Sequence, residues 1–348
     1  MAWREFRRGK RGKFDVQIFE RNLEDNLFIL HQELKSGTYR HGDYTSFYIT
    51  DPKLRKIHKA TVRDRVLHHA IYRVLYPIFD KSFIYDSYSC RLKKGTHKAV
   101  DRLEVFARKV SKNYSGECFA LKCDIKKFFA SIDQGILLRI IEEKIFNPET
   151  LWLVREIIES FNSREREYLP AGRQEIGLPI GNLTSQLFAN IYLSRFDNFI
   201  KHNLKVKFYA RYTDDFVIVS DNVEFLTQLV PKIKKFLLNN LKLELHPDKI
   251  IIRKLCQGID FLGYVILPRY RILRTKTKKR TLKRVNQKNL ASYLGLLEHC
   301  NGCRLSNKLL RLAYARNGKS YVYKYQTVLD AVSGPKEDLE KAVVLLNK

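Results

Sequence analysis

The sequence predicts an α+β fold, on three observations. The stretch "YARYTDDFVIVS", Tyr209 to Ser220, reads as strand, tight turn and strand. Segments of helical and of strand spacing are mixed along the chain, without the regular alternation of a βαβ series. The 348 residues are 45% hydrophobic and 12% aromatic, enough for a substantial core and too apolar for global disorder.

Residues 1–13 carry six basic residues and one acid, which predicts an arm that is mobile or in contact with a polyanion. Val16, Phe19, Leu23, Leu27, Leu30 and Leu34 then recur at three-and-four spacing and predict one helix, ended by Gly37. "YTSFYI", 44–49, reads as a strand. Residues 61–79 read as a helix with Val62, Val66, Ala70, Val74 and Ile78 on its apolar face. "SYSCRLKKGTHKAV" is a polar basic loop that enters a helix near Thr96, and "ECFALKCDIKKFFASID" begins as a strand and turns helical around Gln134. Helices over 148–162 and 183–202 lead to the hairpin. There Val206, Phe208, Ala210 and Tyr212 alternate with Lys207, Tyr209 and Arg211, as in a half-buried strand, and the apolar "FVIVS" suits a buried one. A helix over about 222–241 follows, then "LKLELHPDK" and "GIDFLGYVIL", each read as one short strand. After Leu267 the composition changes: Arg269 to Lys288 holds ten basic residues and no acid. Leu305, Leu309, Leu310 and Leu312, then Val322, Val328 and Val332, give the remainder helical spacing. A boundary is placed near 268, separating a small helical domain with a basic face.

Lys plus Arg number 65 against 37 Asp plus Glu, a net charge of +28. On a globular chain this excess points to a polyanionic partner, foremost nucleic acid. No basic amphipathic helix suggests a membrane surface, and Ile176 to Ser194, the longest uncharged stretch, is too polar to span one. The start "MAWREFRRGKRGKF" has no apolar segment behind its charges, so no signal peptide is expected. Six scattered cysteines form no disulfide framework, which makes a reducing cytoplasm the expected compartment, and the single Cys-x-x-Cys of "HCNGC" lacks a second pair for zinc.

Asp214 and Asp215 occupy the mouth of the hairpin. Asp is a common turn residue, so a purely structural role is open. A chemical role needs a cation, because adjacent carboxylates raise each other's pKa, and a hard divalent ion calls for further oxygen ligands. "CFALKCD" ends a strand at Asp124, an exposed and anchored position. Only the fold could bring Asp124 to the pair.

The order of these segments over residues 53–267 resembles a reverse transcriptase. "KLRKIHKATVRDRVLHHAI" is similar to the first fingers motif of that family and "SYSCRLKKGTHKAV" to the second. "LKCDIKKFFASID" resembles the palm motif with the first metal aspartate, "GLPIGNLTSQLFANIYL" the segment under the templating pair, and "YTDD" the tyrosine-x-Asp-Asp signature. "LHPDK" and "GIDFLGY" resemble the two motifs before the thumb.

The resemblance implies a right-hand polymerase: a basic N-terminal arm and helix over 1–50, fingers and palm over 51–268, and a basic helical thumb over 269–348. It implies two Mg²⁺ ions, with Mn²⁺ able to substitute, held by Asp124 and Asp214 with Asp215 more peripheral. One ion would activate a 3′-hydroxyl and the other would clamp the triphosphate. Phe129 falls on the steric gate that selects deoxynucleotides; an ordinary core aromatic beside Phe128 is the open alternative. Lys53, Arg55 and Arg91 are candidates to neutralise the triphosphate, with Lys53 equally readable as a solvated loop lysine. Lys249 fits the lysine after the palm hairpin, or a salt bridge. Lys276, Lys278, Lys279, Arg280, Lys283 and Arg284 are the candidate nucleic-acid contacts.

One segment departs from the superfamily pattern of Gln-Gly, three residues, Ser-Pro. In "IGNLTSQ", Ile180 replaces the glutamine and Gln186 the proline. The variant resembles reverse transcriptases of diversity-generating retroelements, which copy a template RNA into adenine-mutagenised cDNA from dNTPs. That resemblance implies a small basic accessory protein oligomer (the accessory variability determinant) as a further partner. A retron or short group II-like enzyme, or a non-catalytic RNA-binding scaffold, are the alternatives. After the thumb no room is expected for maturase and endonuclease domains, and no RNase H domain is apparent.

Overall fold

A computed structural model of the chain describes residues 1–50, 54–161 and 176–315. Two compact units divide it: residues 1–95, 121–218 and 224–251 in the first, and 96–120, 219–223 and 252 onward in the second.

The first unit begins with α1 (Ala2–Arg7), α2 (Phe14–Arg21) and α3 (Leu23–Lys35). The N-terminal segment is therefore not a mobile arm. Trp3 and Phe6 are three residues apart among the basic residues, and they join Val16, Phe19, Val62 and Val66 in one cluster. The helix expected over Val16–Leu34 is two helices, because Asn22 leaves helical geometry at φ −118°, ψ 48°. Strands β1 (Thr45–Ile49) and β2 (Arg55–Lys59) pair antiparallel, Thr45 opposite Lys59. Helix α4 (Val62–Asp80) buries Asp64, Val66, Leu67, His68, Ile71, Leu75, Tyr76 and Phe79, while Val74 and Ile78 are exposed. The expected face holds at Val62 and Val66 and fails toward Val74 and Ile78, because a row at every fourth position drifts about 40° per step around a helix of 3.6 residues per turn.

Helix α5 (Thr96–Val110) starts where expected, and β3 (Phe119–Asp124) leads through the short α6 (Phe128–Ser131) into α7 (Gln134–Glu142). Helices α8 (Pro148–Glu159) and α9 (Leu183–Asn198) follow, the second continued by a π-helical turn at Phe199–Asn203. Helix α9 is buried nearly all round, from Thr184 to Asp197, the pattern of a central core helix. The hairpin is β4 (Tyr209–Tyr212) and β5 (Asp215–Ser220), with Tyr212 opposite Asp215. Strand β4 is not half-buried, as its alternation suggested. Tyr209, Ala210 and Arg211 are all fully buried, since Arg211 meets Asp197 in an ion pair at 2.6 Å.

After α10 (Val223–Leu241), "LKLELHPDK" makes only an isolated bridge between Leu245 and Ile125, because Pro247, which lacks an N–H, opens a 3₁₀ turn there. The strand comes later, as β6 (Ile251–Lys254), and a four-stranded sheet has the order β4-β5-β3-β6. "GIDFLGYVIL" is a hairpin, β7 (Ile259–Phe261) and β8 (Tyr264–Leu267). Its two-residue turn has Leu262 at φ 49° and Gly263 at φ 95°, the left-handed geometry that suits a tight hairpin. Strand β9 (Tyr270–Leu273) adds to it, and α11 (Thr275–Arg284), α12 (Gln287–Leu297) and α13 (Cys303–Ala315) complete the second unit as described. Leu309 and Leu310 are buried as their spacing implied; Val322, Val328 and Val332 lie outside the described residues. All six cysteines are free. Among the described residues no helix is long and apolar enough to cross a membrane.

Asp64 fastens the segment after α3 onto α4. Fully buried, it accepts hydrogen bonds from the Tyr39 hydroxyl (2.8 Å), the Gly42 N–H (3.1 Å) and the Thr61 hydroxyl (2.6 Å). Asp64→Ala strands the buried Tyr39 hydroxyl and the partly buried Gly42 N–H, so unfolding free energy should fall by about 3 kcal/mol. A urea denaturation midpoint equal to that of the parent would remove Asp64 from this role.

Candidate active site

Strands β3 and β5 are neighbours in the sheet, and this adjacency brings the three aspartates together from distant parts of the chain. Asp124 ends β3, Asp215 begins β5, and Asp214 is the second residue of the turn between β4 and β5. The Ile125 N–H donates to the Asp214 carbonyl at 3.2 Å and the His246 N–H to the Asp124 carbonyl at 2.8 Å, so the backbone on both sides is tied down.

The electrostatics of the trio are those of crowded, sheltered acids. Burial, and then the charge of Asp124, raise Asp214 above the usual carboxylate range, while Lys249 and Arg55 pull it back. Burial pushes Asp215 up to about 6 against the opposing charge of Lys122, with Asp124 and Asp214 adding to the rise. Two lysines answer this. Lys249 Nζ donates to Asp124 Oδ1 at 2.8 Å, and Lys122 Nζ lies 3.5 Å from Asp215 Oδ2.

The donor chemistry of these residues suits a divalent cation. Asp215 Oδ1 is buried without a hydrogen-bond partner, and three anionic oxygen donors with raised or crowded charge suit a hard ion. In the arrangement described, with the lysines on Asp124 and Asp215, no three His, Cys, Asp or Glu side chains converge in metal-holding geometry among the described residues.

The remaining expected residues divide. Arg55 stands exposed at the start of β2, and its charge reaches Asp214. Phe128 is buried, but Phe129 is only partly so, its ring edge-on to Phe128 at 5.3 Å between centroids. Phe128 is the more deeply buried of the two. Ile180 is partly buried, and its carbonyl accepts from the His58 N–H of β2 at 2.9 Å. Lys53 lies outside the described residues.

Arg91 is a correction. Its side chain is 8% exposed. Nε donates to Asp80 Oδ1 (2.7 Å), and Nη1 donates to the carbonyls of Ile84 (2.7 Å) and Ser87 (3.0 Å). A guanidinium so committed closes its own loop and is not presented to a triphosphate. Lys276, Lys278, Lys279, Lys283 and Arg284 are exposed on α11, with Arg280 partly so, and Thr281 is the buried residue of that helix. Sequence reasoning missed Lys122; its period-2 spacing from Asp124, on one face of β3, was the available signal.

The helices and antiparallel sheet have the architecture of a right-hand polymerase fold. A profile described as reverse transcriptase (RNA-dependent DNA polymerase) matches residues 50–266, more than half the chain, and the chain belongs to the reverse transcriptase family. It is 25% identical over 340 residues to the group II intron-encoded protein LtrA of Lactococcus lactis subsp. cremoris, covering 79% of this chain and 54% of the relative. It is 23% identical over 287 residues to protein YkfC of Escherichia coli (strain K12), covering 72% and 73%. The chain thus spans about half the length of LtrA. Among solved structures, telomerase from Candida albicans in complex with a TWJ fragment of telomeric RNA has the same fold. The TM-score is 0.53 at 14% identity, over 88% of this chain and 62% of that one.

The turn that carries Ile180 depends on Gly181. Its φ of +122° is one that side chains rarely adopt, and a Cβ there would lie 2.8 Å from Ile57 Cγ2 on β2. Gly181→Ala should cost about 1–3 kcal/mol, seen as a lower melting temperature. An unchanged melting temperature would mean that Ile57 gives way freely.

Proposed function

We propose that the chain is an RNA-directed DNA polymerase. The carrying observation is the meeting of Asp124 with Asp214 and Asp215 at adjacent strand ends inside the family-matched segment. Asp124 and Asp214 would hold two Mg²⁺ (or Mn²⁺) ions, with Asp215 at the periphery. Bound there, the ions supply a Lewis acid for the primer 3′-hydroxyl and a clamp on the triphosphate. Arg55 and Lys249 provide cationic groups for the phosphates. The Phe129 ring, partly exposed beside Phe128, screens the 2′ position of the incoming sugar. The exposed basic face of α11 grips the template–product backbone by charge. In this reading residues 51–268 are fingers and palm, behind an N-terminal segment over 1–50, and 269–348 form the thumb. The working compartment is the cytoplasm, in keeping with six free cysteines.

Within the class we infer a diversity-generating retroelement enzyme that makes adenine-mutagenised cDNA beside a small basic accessory protein oligomer. The support is the segment from Ile180 to Gln186, where an apolar side chain stands in place of an amide. A group II intron-like enzyme is the second reading, favoured by the similarity to LtrA. Two near-identical repeats in the flanking DNA, differing at adenines, would decide for the first; their absence would decide for the second.

Asp124→Asn or Asp214→Asn should abolish Mg²⁺-dependent primer extension while filter binding of RNA persists, since the polymer is held by basic faces and the acids serve chemistry. Extension near the parent rate in either variant would defeat the site assignment.

Ile180→Gln should lower misincorporation, most at template adenine. Isoleucine offers no donor or acceptor, and a hydrogen bond of about 1 kcal/mol made only with the correct pair changes selection several-fold. Deep sequencing of cDNA made by both enzymes on one RNA is the measurement. Equal error spectra would leave Ile180 a packing residue.

A further inference from the structure

The turn that carries Asp214 is under strain. Thr213 has φ +55°, a left-handed conformation suited to Gly or Asn and an outlier for a β-branched side chain. Such a residue keeps its geometry only where its surroundings over-determine it. The surroundings here are specific. Arg211 Nη1 donates to the Thr213 carbonyl at 3.0 Å, and the Thr213 hydroxyl donates to Ser89 Oγ at 2.6 Å.

Behind that turn the guanidinium of Arg211 has all five N–H donors engaged. Nε and Nη2 fork onto Asp197, at 2.7 Å to Oδ1 and 2.6 Å to Oδ2. The second Nη2 hydrogen goes to Ser87 Oγ at 3.1 Å, and Nη1 also donates to Asn190 Oδ1 at 3.2 Å. Tyr209 donates to Asp197 Oδ1 at 2.6 Å, and Asn190 Nδ2 to the Ser89 carbonyl at 2.8 Å. The backbone adds a clasp, with Arg211 N–H donating to Asp86 O (3.0 Å) and Tyr88 N–H to Arg211 O (2.9 Å). Arg211 and Asp197 are fully buried, and Ser87, Ser89 and Asn190 nearly so.

We propose that Arg211, anchored by Asp197, is a positioning residue for polymerisation: it holds the Thr213 carbonyl while Ser89 holds the Thr213 hydroxyl, and together they set the place of the Asp214 carboxylate. The loop from Asp86 to Ser89, which sequence motifs assign to the fingers, acts here as the brace beneath the turn. This rests on the proposed polymerase activity. A fork that satisfies five donors fits only a planar guanidinium. A chain that merely needed a core at this point could fill it with apolar side chains at no loss of stability.

The experiment follows from that contrast. Asp197→Leu, Tyr209→Phe and Arg211→Met together replace the buried polar centre by apolar groups of similar volume. The combined variant should fold and bind RNA, keep the KM for dNTP, lose kcat by about a hundredfold, and need more Mg²⁺ for half-maximal rate. Unchanged kcat and Mg²⁺ dependence in the folded variant would overturn the proposal, as would a rise in KM alone. Should the triple variant not fold, Thr213→Val, which removes only the hydroxyl link to Ser89 at a partly exposed turn, decides the matter. It should lower kcat with KM unmoved, and parent-level kcat would sink the proposal. The parent chain and Asp214→Asn run alongside: absence of Mg²⁺-dependent extension by the parent would instead defeat the polymerase reading and this inference with it.

Discussion

The ion pair between Arg211 and Asp197 is buried without exposure on either side, and much of the first unit is arranged to permit it. Taking two charges out of water costs several kcal/mol per ion, which good geometry alone recovers. Here the geometry is a two-point fork, and every remaining donor of the guanidinium has an acceptor. That requirement brings together α9, which supplies Asp197 and Asn190, strand β4, which supplies Arg211, and the loop with Ser87 and Ser89. A helix, the strand that follows it and a loop more than a hundred residues earlier are thereby held together beneath the aspartate turn.

Above that turn the electrostatic problem is reversed. The chain carries a net charge of +28, yet three partly buried carboxylates meet at adjacent strand ends. Lys122 and Lys249 offset them at 3.5 Å and 2.8 Å. The balance is incomplete, since Asp214 and Asp215 still have raised pKa values and one Asp215 oxygen has no hydrogen-bond partner. Under the proposed function, these under-neutralised oxygens are the donors a hard cation would meet.

Residues whose role is set by local pattern were legible. Asp124 at the end of a strand, the hairpin with its two acids, and the leucine spacing behind Leu309 and Leu310 all lie where periodicity and turn chemistry put them. Misreadings came where two patterns share one signature. Arg91 sits in a basic loop that suits phosphate binding, and the same guanidinium suits a loop clasp; only the positions of Asp80, Ile84 and Ser87 separate the two. Arg211 alternates with apolar residues as a solvent-facing charge would, and Asp197, on the preceding helix, is what makes its burial affordable. The basic N-terminus hid Trp3 and Phe6, whose partners Val62 and Val66 come from another helix.

The sequence by itself determined the class: the order of motifs, the three acids, the mixed helix and strand content and the polyanion-seeking charge are all local or compositional. Tertiary structure decided which charges stay at the surface and which are built into the framework. The physical reason is that a charged side chain takes its role from its surroundings. The same lysine or arginine is a solvated group, a partner for a carboxylate or a buried brace, according to what the fold brings within about 3 Å of it.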